Sequence, residues 1–364
     1  MSKKKKIVII ILSVIVAILI AVISVAAYFI SDMNGGDKGK DVKIEIKSGT
    51  YTAEIAEILE KEGIIDSAFG FRMYVKLKGY DSRFKYGFYT FNEGDSYEQI
   101  AQKLMTQGAR AETIKVTVPE GTGINDYVKN VDGKQVTVLG IASIMEKSGL
   151  CTKADFIEAL SQVKLQGKLL SGAKDKNTYY TLEGYLFPET YEFYKLDDSK
   201  AAAKLAVEKM LSEAESRITD DMYKKAEKMG YSMHEILTMA SIIQLEAGID
   251  TDSLPKIAGV FYNRLNSSSF PTLGSSPTIF YGDSFEQDDD RYDTYKIKDL
   301  PPGPLCSPGI KAINAALNPE GSNYYYFVTD KNGKFYFHKT YAEQTATINK
   351  LKKDGNWIYE YYNK

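Results

Sequence analysis

The sequence predicts an α+β fold with three parts: an N-terminal transmembrane helix, small mixed α/β modules, and a larger mixed α+β domain. The first observation is an uncharged apolar run at residues 7–30. The second is a strand-like alternation, followed by a turn and a helical period, that recurs in the first third of the chain. The third is a second half in which long helical patterns alternate with Pro- and Gly-rich segments. A chain of 364 residues can hold two or three domains with separate cores.

The apolar run at residues 7–30 follows four lysines and is long enough to span ~30 Å of hydrocarbon as a helix. A cleaved signal peptide is the competing interpretation, with a passable cleavage site at residues 24–26. Since a signal peptide has an apolar core of only about 7–15 residues, a retained anchor is favoured. The lysines place residues 1–6 in the cytoplasm and the rest of a single-pass cell-membrane protein outside. Residues 31–41, rich in Gly, Asp and Lys, are predicted to be a flexible linker.

The region 42–132 is predicted to contain strand, turn and helix three times over. The third of these units runs from a strand at residues 115–118 into a helix at residues 124–131. In the second unit, the stretch GDSYEQIAQKL at residues 94–104 resembles LysM, a peptidoglycan-binding module, although Gly-Asp-Ser before a helix is also ordinary capping. We therefore predict a LysM-like peptidoglycan-binding region at 42–132, followed by a polar helical bridge at 133–175.

Composition excludes several classes of function. The net charge is −2 and the basic residues are dispersed, which argues against nucleic acid as a partner. Cys151 and Cys306 fit neither a disulfide framework nor a CxxC metal site, so both are expected to be small core residues. His234 and His338 are the only histidines. A His-rich zinc site is therefore excluded, and a Ser–His–Asp triad is poorly supported.

One stretch, residues 232–248, organises the second half of the chain. Ser232 and Glu235 have the spacing of a helix capping box, and Gly248 is a natural helix stop. Glu246 falls on the apolar side of this predicted helix. The residues that share that side lie three, four and seven positions earlier, and they are Ile243, Ile242 and Met239.

Apolar neighbours and the negative end of the helix dipole both disfavour a carboxylate at Glu246. Both effects raise the pKa, as a general acid working near neutral pH requires. The alternative is that Glu246 turns to solvent in the last turn, as most helical Glu residues do.

The other elements of this half follow from local patterns. Aromatic residues with Gly184 and Pro188 predict a loop or edge strand at residues 181–193. Regular apolar spacing predicts scaffold helices at 199–230. Further along, the predictions are a helix at 254–265, a loop leading to a strand at 270–281, a helix at 310–317, and a hairpin around 330–333.

These segments together resemble the endolytic murein transglycosylase family, also called YceG-like or MltG. The resemblance covers nearly the whole chain in the right order, and residues 176–364 correspond to the family's catalytic domain. It rests on EGYLFPETY at 183–191, ASIIQLEAG at 240–248, AGVFYNRL at 258–265, SPTIFYG at 276–282, YDTY at 292–295, LPPGPLCSPG at 300–309 and YYFV at 325–328.

The resemblance implies cleavage of the β-1,4 bond between N-acetylmuramic acid and N-acetylglucosamine in peptidoglycan. The family's catalytic acid corresponds to Glu246. The other Glu of its motif corresponds to Gln244, which lies roughly 200° around the helix from Glu246. The chain also departs from the family at Ser276, where Asp is frequent, and at Phe335, near which a His is frequent.

A lytic transglycosylase needs one carboxylate, which acts first as acid and then as base, and it needs no metal or organic cofactor. The product is a 1,6-anhydro end. The resemblance also implies work beside penicillin-binding proteins or the elongation machinery. The residues predicted to hold the glycan are Tyr185, Phe187, Asn263, Arg264, Ser276, Thr278 and Tyr295.

Two other functions compete with this one. A lysozyme-type hydrolase would use Glu246 with a second carboxylate, Asp293 or Glu183. A non-catalytic peptidoglycan-binding scaffold would result if the changes at Gln244 and Ser276 had abolished activity.

Overall fold

The described part of the chain divides into two units, Met1–Thr113 and Ile114–Lys364. The computed structural model describes residues 16, 27–36, 39–47, 50–81, 83–106, 113–131, 134–173, 177–196, 198–248, 250–270, 272–285 and 290–357. Residues 1–6 and most of the predicted anchor at 7–30 lie outside these ranges. Within them, no helix has both the length and the apolarity needed to cross a bilayer.

The first unit is a two-stranded antiparallel sheet with helices packed on a shared core. Ile44 of the first strand lies opposite Tyr89 of the second, and both side chains are buried. Phe71 and Leu104 fill the same core from two of the helices. In order, the elements are α1 (27–34), β1 (Asp41–Ile46), α2 (Thr52–Lys61), α3 (Ala68–Lys78), β2 (Gly87–Asn92) and α4 (Tyr97–Thr106).

The segment predicted as a flexible linker, residues 31–41, begins in a helix and ends at the first residue of a strand. Helix α1 continues to residue 34, and strand β1 begins at Asp41. Asp32 accepts a hydrogen bond of 2.8 Å from the Asp66 backbone N–H, and Met33 packs against the core. The start of this segment therefore belongs to the first unit, because Asp32 and Met33 find specific partners far along the chain that composition alone does not indicate.

The second unit is mainly helical, with three two-stranded sheets among its described residues. Strand β3 pairs with β6, while β4–β5 and β7–β8 are antiparallel hairpins. Short 3-10 helices cover Ser171–Ala173 and Asp290–Tyr292. The remaining elements are β3 (Thr113–Thr117), β4 (Tyr127–Val131), β5 (Lys134–Val138), α5 (Ile141–Lys147), α6 (Lys153–Ser161), α7 (Gly167–Leu170), β6 (Thr190–Tyr194), α8 (Ser199–Arg217), α9 (Asp220–Met229), α10 (Met233–Ala247), α11 (Leu254–Leu265), α12 (Ser276–Asp283), α13 (Ile310–Leu317), β7 (Tyr326–Thr329), β8 (Phe335–His338) and α14 (Tyr341–Lys353).

Helix α10 lies at the centre of the second unit, as the sequence predicts. The capping box is formed: Ser232 Oγ accepts from the Glu235 N–H at 3.2 Å, and Glu235 Oε2 accepts from the Ser232 N–H at 2.7 Å. The helix ends at Gly248, whose φ of 58° and ψ of −116° strain any residue with a Cβ. Most side chains of α10 are buried, so the helix is enclosed on more sides than one apolar face would predict.

Two elements differ from the sequence prediction. Residues 124–131, predicted to be helical, contain strand β4, which pairs with β5 as a hairpin. Residues 270–281, predicted as a loop and strand, contain helix α12, with Pro277 in its first turn. Proline is tolerated there because the first turn leaves its N–H groups without helical partners. Helices α8, α9, α11 and α13 and the β7–β8 hairpin agree with the prediction.

The structure also moves the predicted domain boundaries. Residues 114–132, assigned to the LysM-like region, belong to the second unit, in which β3 pairs with β6. The bridge at 133–175 begins with a strand, and its helices α5 and α6 bury Ile141, Met145 and Phe156 in the main core. It is therefore part of the second unit, and that unit begins before the predicted boundary at residue 176.

Candidate active site

Glu246 lies in the last turn of α10, and its side chain is partly exposed. Met239, Ile242 and Ile243, which share its side of the helix, are completely buried. Ser275 Oγ donates a hydrogen bond of 2.6 Å to Glu246 Oε1. The Glu246 side chain therefore lies beside buried apolar residues, accepts a hydrogen bond from one fixed hydroxyl, and is still partly accessible to solvent.

Burial raises the pKa of Glu246 above its ordinary value. The Ser275 hydrogen bond and the positive charge of Arg264 act in the opposite direction, since both stabilise the carboxylate, but burial prevails. The carbonyl end of α10 also favours the neutral form. Glu246 therefore keeps its proton to a higher pH than a solvated glutamate, as a general acid requires.

Ser275 is held by a network of buried hydroxyl groups. Its N–H donates to Thr294 Oγ1 at 2.8 Å, and its carbonyl accepts from Thr278 Oγ1 at 2.6 Å. Thr278 and Thr294 hydroxyls are 2.9 Å apart. All three side chains are completely buried, so the hydroxyl that binds Glu246 has little freedom to turn away. Ser276 and Thr278 were predicted as site residues, whereas Ser275 and Thr294 were not.

Arg264 and Asn263, at the end of α11, bind backbone carbonyls. Arg264 donates from Nη1 to Leu273 O at 2.6 Å and from Nε to Tyr325 O at 2.7 Å. Asn263 Nδ2 donates to Ser322 O and Tyr324 O at 2.9 and 2.8 Å. Both residues thus hold neighbouring chain segments in place, and the positive charge of Arg264 also acts on Glu246.

Tyr295 and Ser276 remain suitable for contact with a substrate. Tyr295 is 52% exposed, and its hydroxyl lies 3.3 Å from Ser276 Oγ. Ser276 is partly exposed and directly follows Ser275 in the chain. These two side chains form a polar surface next to the residue that binds the acid.

Tyr185, Phe187 and Thr278 do not fit the predicted glycan-binding role, because all three are buried. The Tyr185 hydroxyl lies 2.7 Å from His234 Nδ1. The guanidinium of Arg217 lies over the Phe187 ring, 5.5 Å from its centroid. Tyr185 and Phe187, which the resemblance assigned to glycan binding, therefore pack in the core.

The two candidates for a second carboxylate are both engaged. Glu183 is 1% exposed, accepts from the Ile124 N–H at 3.1 Å and from the Tyr281 hydroxyl at 3.2 Å, and burial raises its pKa to about 8. Asp293 accepts from the Tyr295 N–H at 3.0 Å and lies 3.6 Å from Lys296 Nζ. Glu183 thus has a structural role, and Asp293 binds within its own turn.

Comparison with known proteins gives the family. The model of the YceG-like family matches residues 44–350. The chain belongs to the YceG-like family. A Bacillus subtilis protein, an endolytic murein transglycosylase, is 34% identical over 332 residues, covering 88% of this chain and 87% of that protein.

Two further relatives of this YceG-like chain extend the comparison. An endolytic murein transglycosylase of Streptococcus pneumoniae strain D39 is 29% identical over 85% of this chain, which spans 58% of that protein. The 2.6 Å crystal structure of a YceG-like protein from Listeria monocytogenes superimposes with a TM-score of 0.52 at 29% identity. The match covers 84% of this chain and 98% of the Listeria chain.

Gln244 of this YceG-like chain points away from the acid, as its helical position predicts. Its Oε1 accepts a hydrogen bond of 3.0 Å from the Gly309 N–H, and its side chain is buried. An amide is sufficient for that contact, because only an acceptor is needed. The change from Glu to Gln in the motif therefore leaves the contact between Glu246 and Ser275 intact.

Proposed function

We propose that this protein is a membrane-anchored peptidoglycan lytic transglycosylase that cuts within glycan strands, with Glu246 as its catalytic acid. The relatives named endolytic murein transglycosylase support the reaction class. The observation that carries the residue assignment is the raised pKa of a partly exposed Glu246 fixed by Ser275.

In the first step, protonated Glu246 donates its proton to the glycosidic oxygen as the bond to C1 of N-acetylmuramic acid breaks. The bonding electron pair leaves with that oxygen, and C1 becomes oxocarbenium-like. Since Ser275 donates to Oε1, the transferable proton resides on Oε2. One oxygen is thereby fixed to the protein and the other is presented to the substrate.

In the second step, Glu246 is a carboxylate and takes the proton of the muramic acid C6 hydroxyl while the C6 oxygen bonds to C1. This closes the 1,6-anhydro ring and returns Glu246 to its protonated form. The nucleophile belongs to the substrate, so the reaction gains from proximity and uses no external water. A raised pKa suits a group that both donates and accepts in one cycle.

The hydrolase alternative is less favoured because it needs a second carboxylate free to activate water or attack C1. Glu183 is almost completely buried, and Asp293 is bound to the Tyr295 N–H within its own turn.

The scaffold alternative loses support because Gln244 contacts Gly309 and leaves the acid unaltered.

The membrane anchor at residues 7–30 and the LysM-like role of the first unit are part of the same proposal. The stretch GDSYEQIAQKL forms the turn after β2 and most of α4. Binding of glycan strands by this unit would hold the substrate near the membrane, where new strands are made.

Muropeptide analysis tests this proposal. Purified full-length protein is incubated with sacculi, and the products are examined by mass spectrometry. We expect 1,6-anhydro ends from the parent and none from Glu246→Gln. The matched control is Glu227→Gln, at an exposed carboxylate of α9, which should act like the parent. Reducing ends would support the hydrolase, and anhydro products from Glu246→Gln would refute the assignment of the acid.

A further inference from the structure

Helix α3 of the first unit carries an exposed apolar stripe. Phe69, Met73 and Leu77 are 63%, 43% and 81% exposed. They are spaced four residues apart, so they lie on one side of the helix. Phe71 and Val75, on the other side, are completely buried in the core. The core of the first unit is therefore filled from the opposite side of α3, and the stripe residues are not part of that core.

Basic side chains flank this apolar stripe. Arg72 and Lys76 are exposed beside it, and Lys78 follows at the end of the helix. Helix α3 contains no acidic residue. Apolar side chains next to lysine and arginine on an exposed helix are typical of helices that lie in the interface of an anionic membrane.

The stripe begins next to the end of the predicted anchor. The Phe29 ring of α1 lies 6.3 Å from the Phe69 ring, centroid to centroid. The predicted anchor ends at residue 30, and two residues later Asp32 is bonded to the Asp66 N–H. No flexible segment therefore separates the end of the predicted anchor from the folded unit. If residues 7–30 span the bilayer, the start of α3 lies close to the membrane surface.

We propose that α3 lies in the headgroup region of the outer leaflet, with Phe69, Met73 and Leu77 in contact with lipid and the basic residues near lipid phosphates. The inference rests on the membrane anchor proposed above. Along the helix, Leu77 is about 12 Å from Phe69, so a helix lying in the membrane plane brings the whole stripe into contact. The first unit would then be held against the bilayer at two places.

The test uses the full chain in lipid nanodiscs, one copy per disc, made from phosphatidylcholine with or without phosphatidylglycerol. An environment-sensitive fluorophore is attached at Leu77→Cys and, as a matched control, at Glu57→Cys, an exposed position of α2. Cys151 and Cys306 are buried, and the unsubstituted chain measures any background labelling.

We expect the label at Leu77 to shift to the blue, to be quenched by lipid-attached nitroxide and to lose most of its quenching by aqueous iodide. The label at Glu57 should remain accessible to iodide. Protection should be greater with phosphatidylglycerol and should fall as salt is added. Adding Phe69→Ser and Met73→Ser to the Leu77 chain should abolish it.

Four results would overturn the inference. One is equal iodide quenching at both positions in both lipids. Another is protection that is absent with one copy per disc and appears only in a second preparation with two copies per disc, which would assign the stripe to a second chain. A third is protection found only after soluble glycan strands are added. The last is failure of the chain to enter discs, which refutes the anchor itself but leaves the catalytic proposal, tested on sacculi, intact.

Discussion

Two carboxyl groups of the second unit, Glu246 and Glu183, both have a raised pKa but differ in their exposure to solvent. Desolvation is the largest effect on both, and it raises both pKa values. Glu183 is 1% exposed and its oxygens accept from the Ile124 N–H and the Tyr281 hydroxyl. Glu246 is partly exposed and is held by one hydroxyl, that of Ser275.

The comparison teaches that a raised pKa alone does not identify a catalytic acid. Perturbed titration occurs at structural sites as well as functional ones. What distinguishes Glu246 is that it is partly exposed and bonded to the Ser275 hydroxyl through one oxygen, whereas both oxygens of Glu183 are engaged within the fold.

The sharpest way to break this comparison is to replace each acid by its amide. We expect Glu246→Gln to lower the rate of anhydro-muropeptide release by about 10²–10⁴-fold, the usual contribution of a general acid. Glu183→Gln should keep the rate within a few-fold. Initial rates on purified glycan strands, at matched folded fraction by circular dichroism, measure both. Equal losses in the two variants would contradict the distinction.

The pH dependence of stability should report Glu183. Its folded-state pKa is about 8 against an ordinary value of 4.5, so the folded form retains a proton that the unfolded chain releases. The stabilisation is complete below pH 4.5 and is lost as pH rises toward 8. By pH 7 the loss is about 3 kcal/mol.

Denaturant titrations from pH 5 to 8 should show a smaller decline in the free energy of unfolding for Glu183→Gln than for the parent. Parallel curves would contradict the assignment.

Ser275→Ala should change the activity profile with pH. The Ser275 hydrogen bond lowers the pKa of Glu246, so removing it raises that pKa further. Because the reaction starts from protonated Glu246, the alkaline limb of the rate profile should move to higher pH. The maximal rate should fall about ten-fold, the cost of one charge-assisted hydrogen bond. Ser276→Ala is the matched control, and its alkaline limb should not move.

The smallest expected effects are those of replacing two tyrosines of the predicted glycan site by phenylalanine. Tyr295→Phe should raise KM a few-fold without altering stability, since Tyr295 is 52% exposed. Tyr185→Phe should leave KM unchanged and lower the free energy of unfolding by about 1 kcal/mol, because its hydroxyl binds His234. Steady-state kinetics and denaturant titration distinguish them, and an exchange of these effects would refute the assignment.

Local signals allowed α10 and its acid to be predicted. The capping box, the apolar period and Gly248 all lie within residues 232–248, and the cap hydrogen bonds form as expected. The side of the helix that Glu246 occupies follows from helical geometry alone. Its partner Ser275 is 29 residues away, and no local pattern distinguishes it from Ser276.

The mistaken predictions share this cause. Short apolar runs such as residues 124–131 fit a strand as well as a helix, and pairing with β5 decides between them. Tyr185 was predicted to hold the glycan because it lies in EGYLFPETY, one of the motifs that carry the family resemblance. Tyr185 is instead buried, and its hydroxyl contacts His234, which is 49 residues away in sequence.

The attachment of α1 to the first unit limits how far this unit can range from the bilayer. Eleven freely jointed residues at 31–41 would give an end-to-end distance of roughly 18 Å. Because Asp32 and Met33 pack within the first unit, most of this distance is not available to separate the unit from the bilayer. If the proposed anchor and the proposed glycan-binding role of the first unit both hold, this unit would reach only the innermost layer of the wall and would leave the older, outward layers unbound.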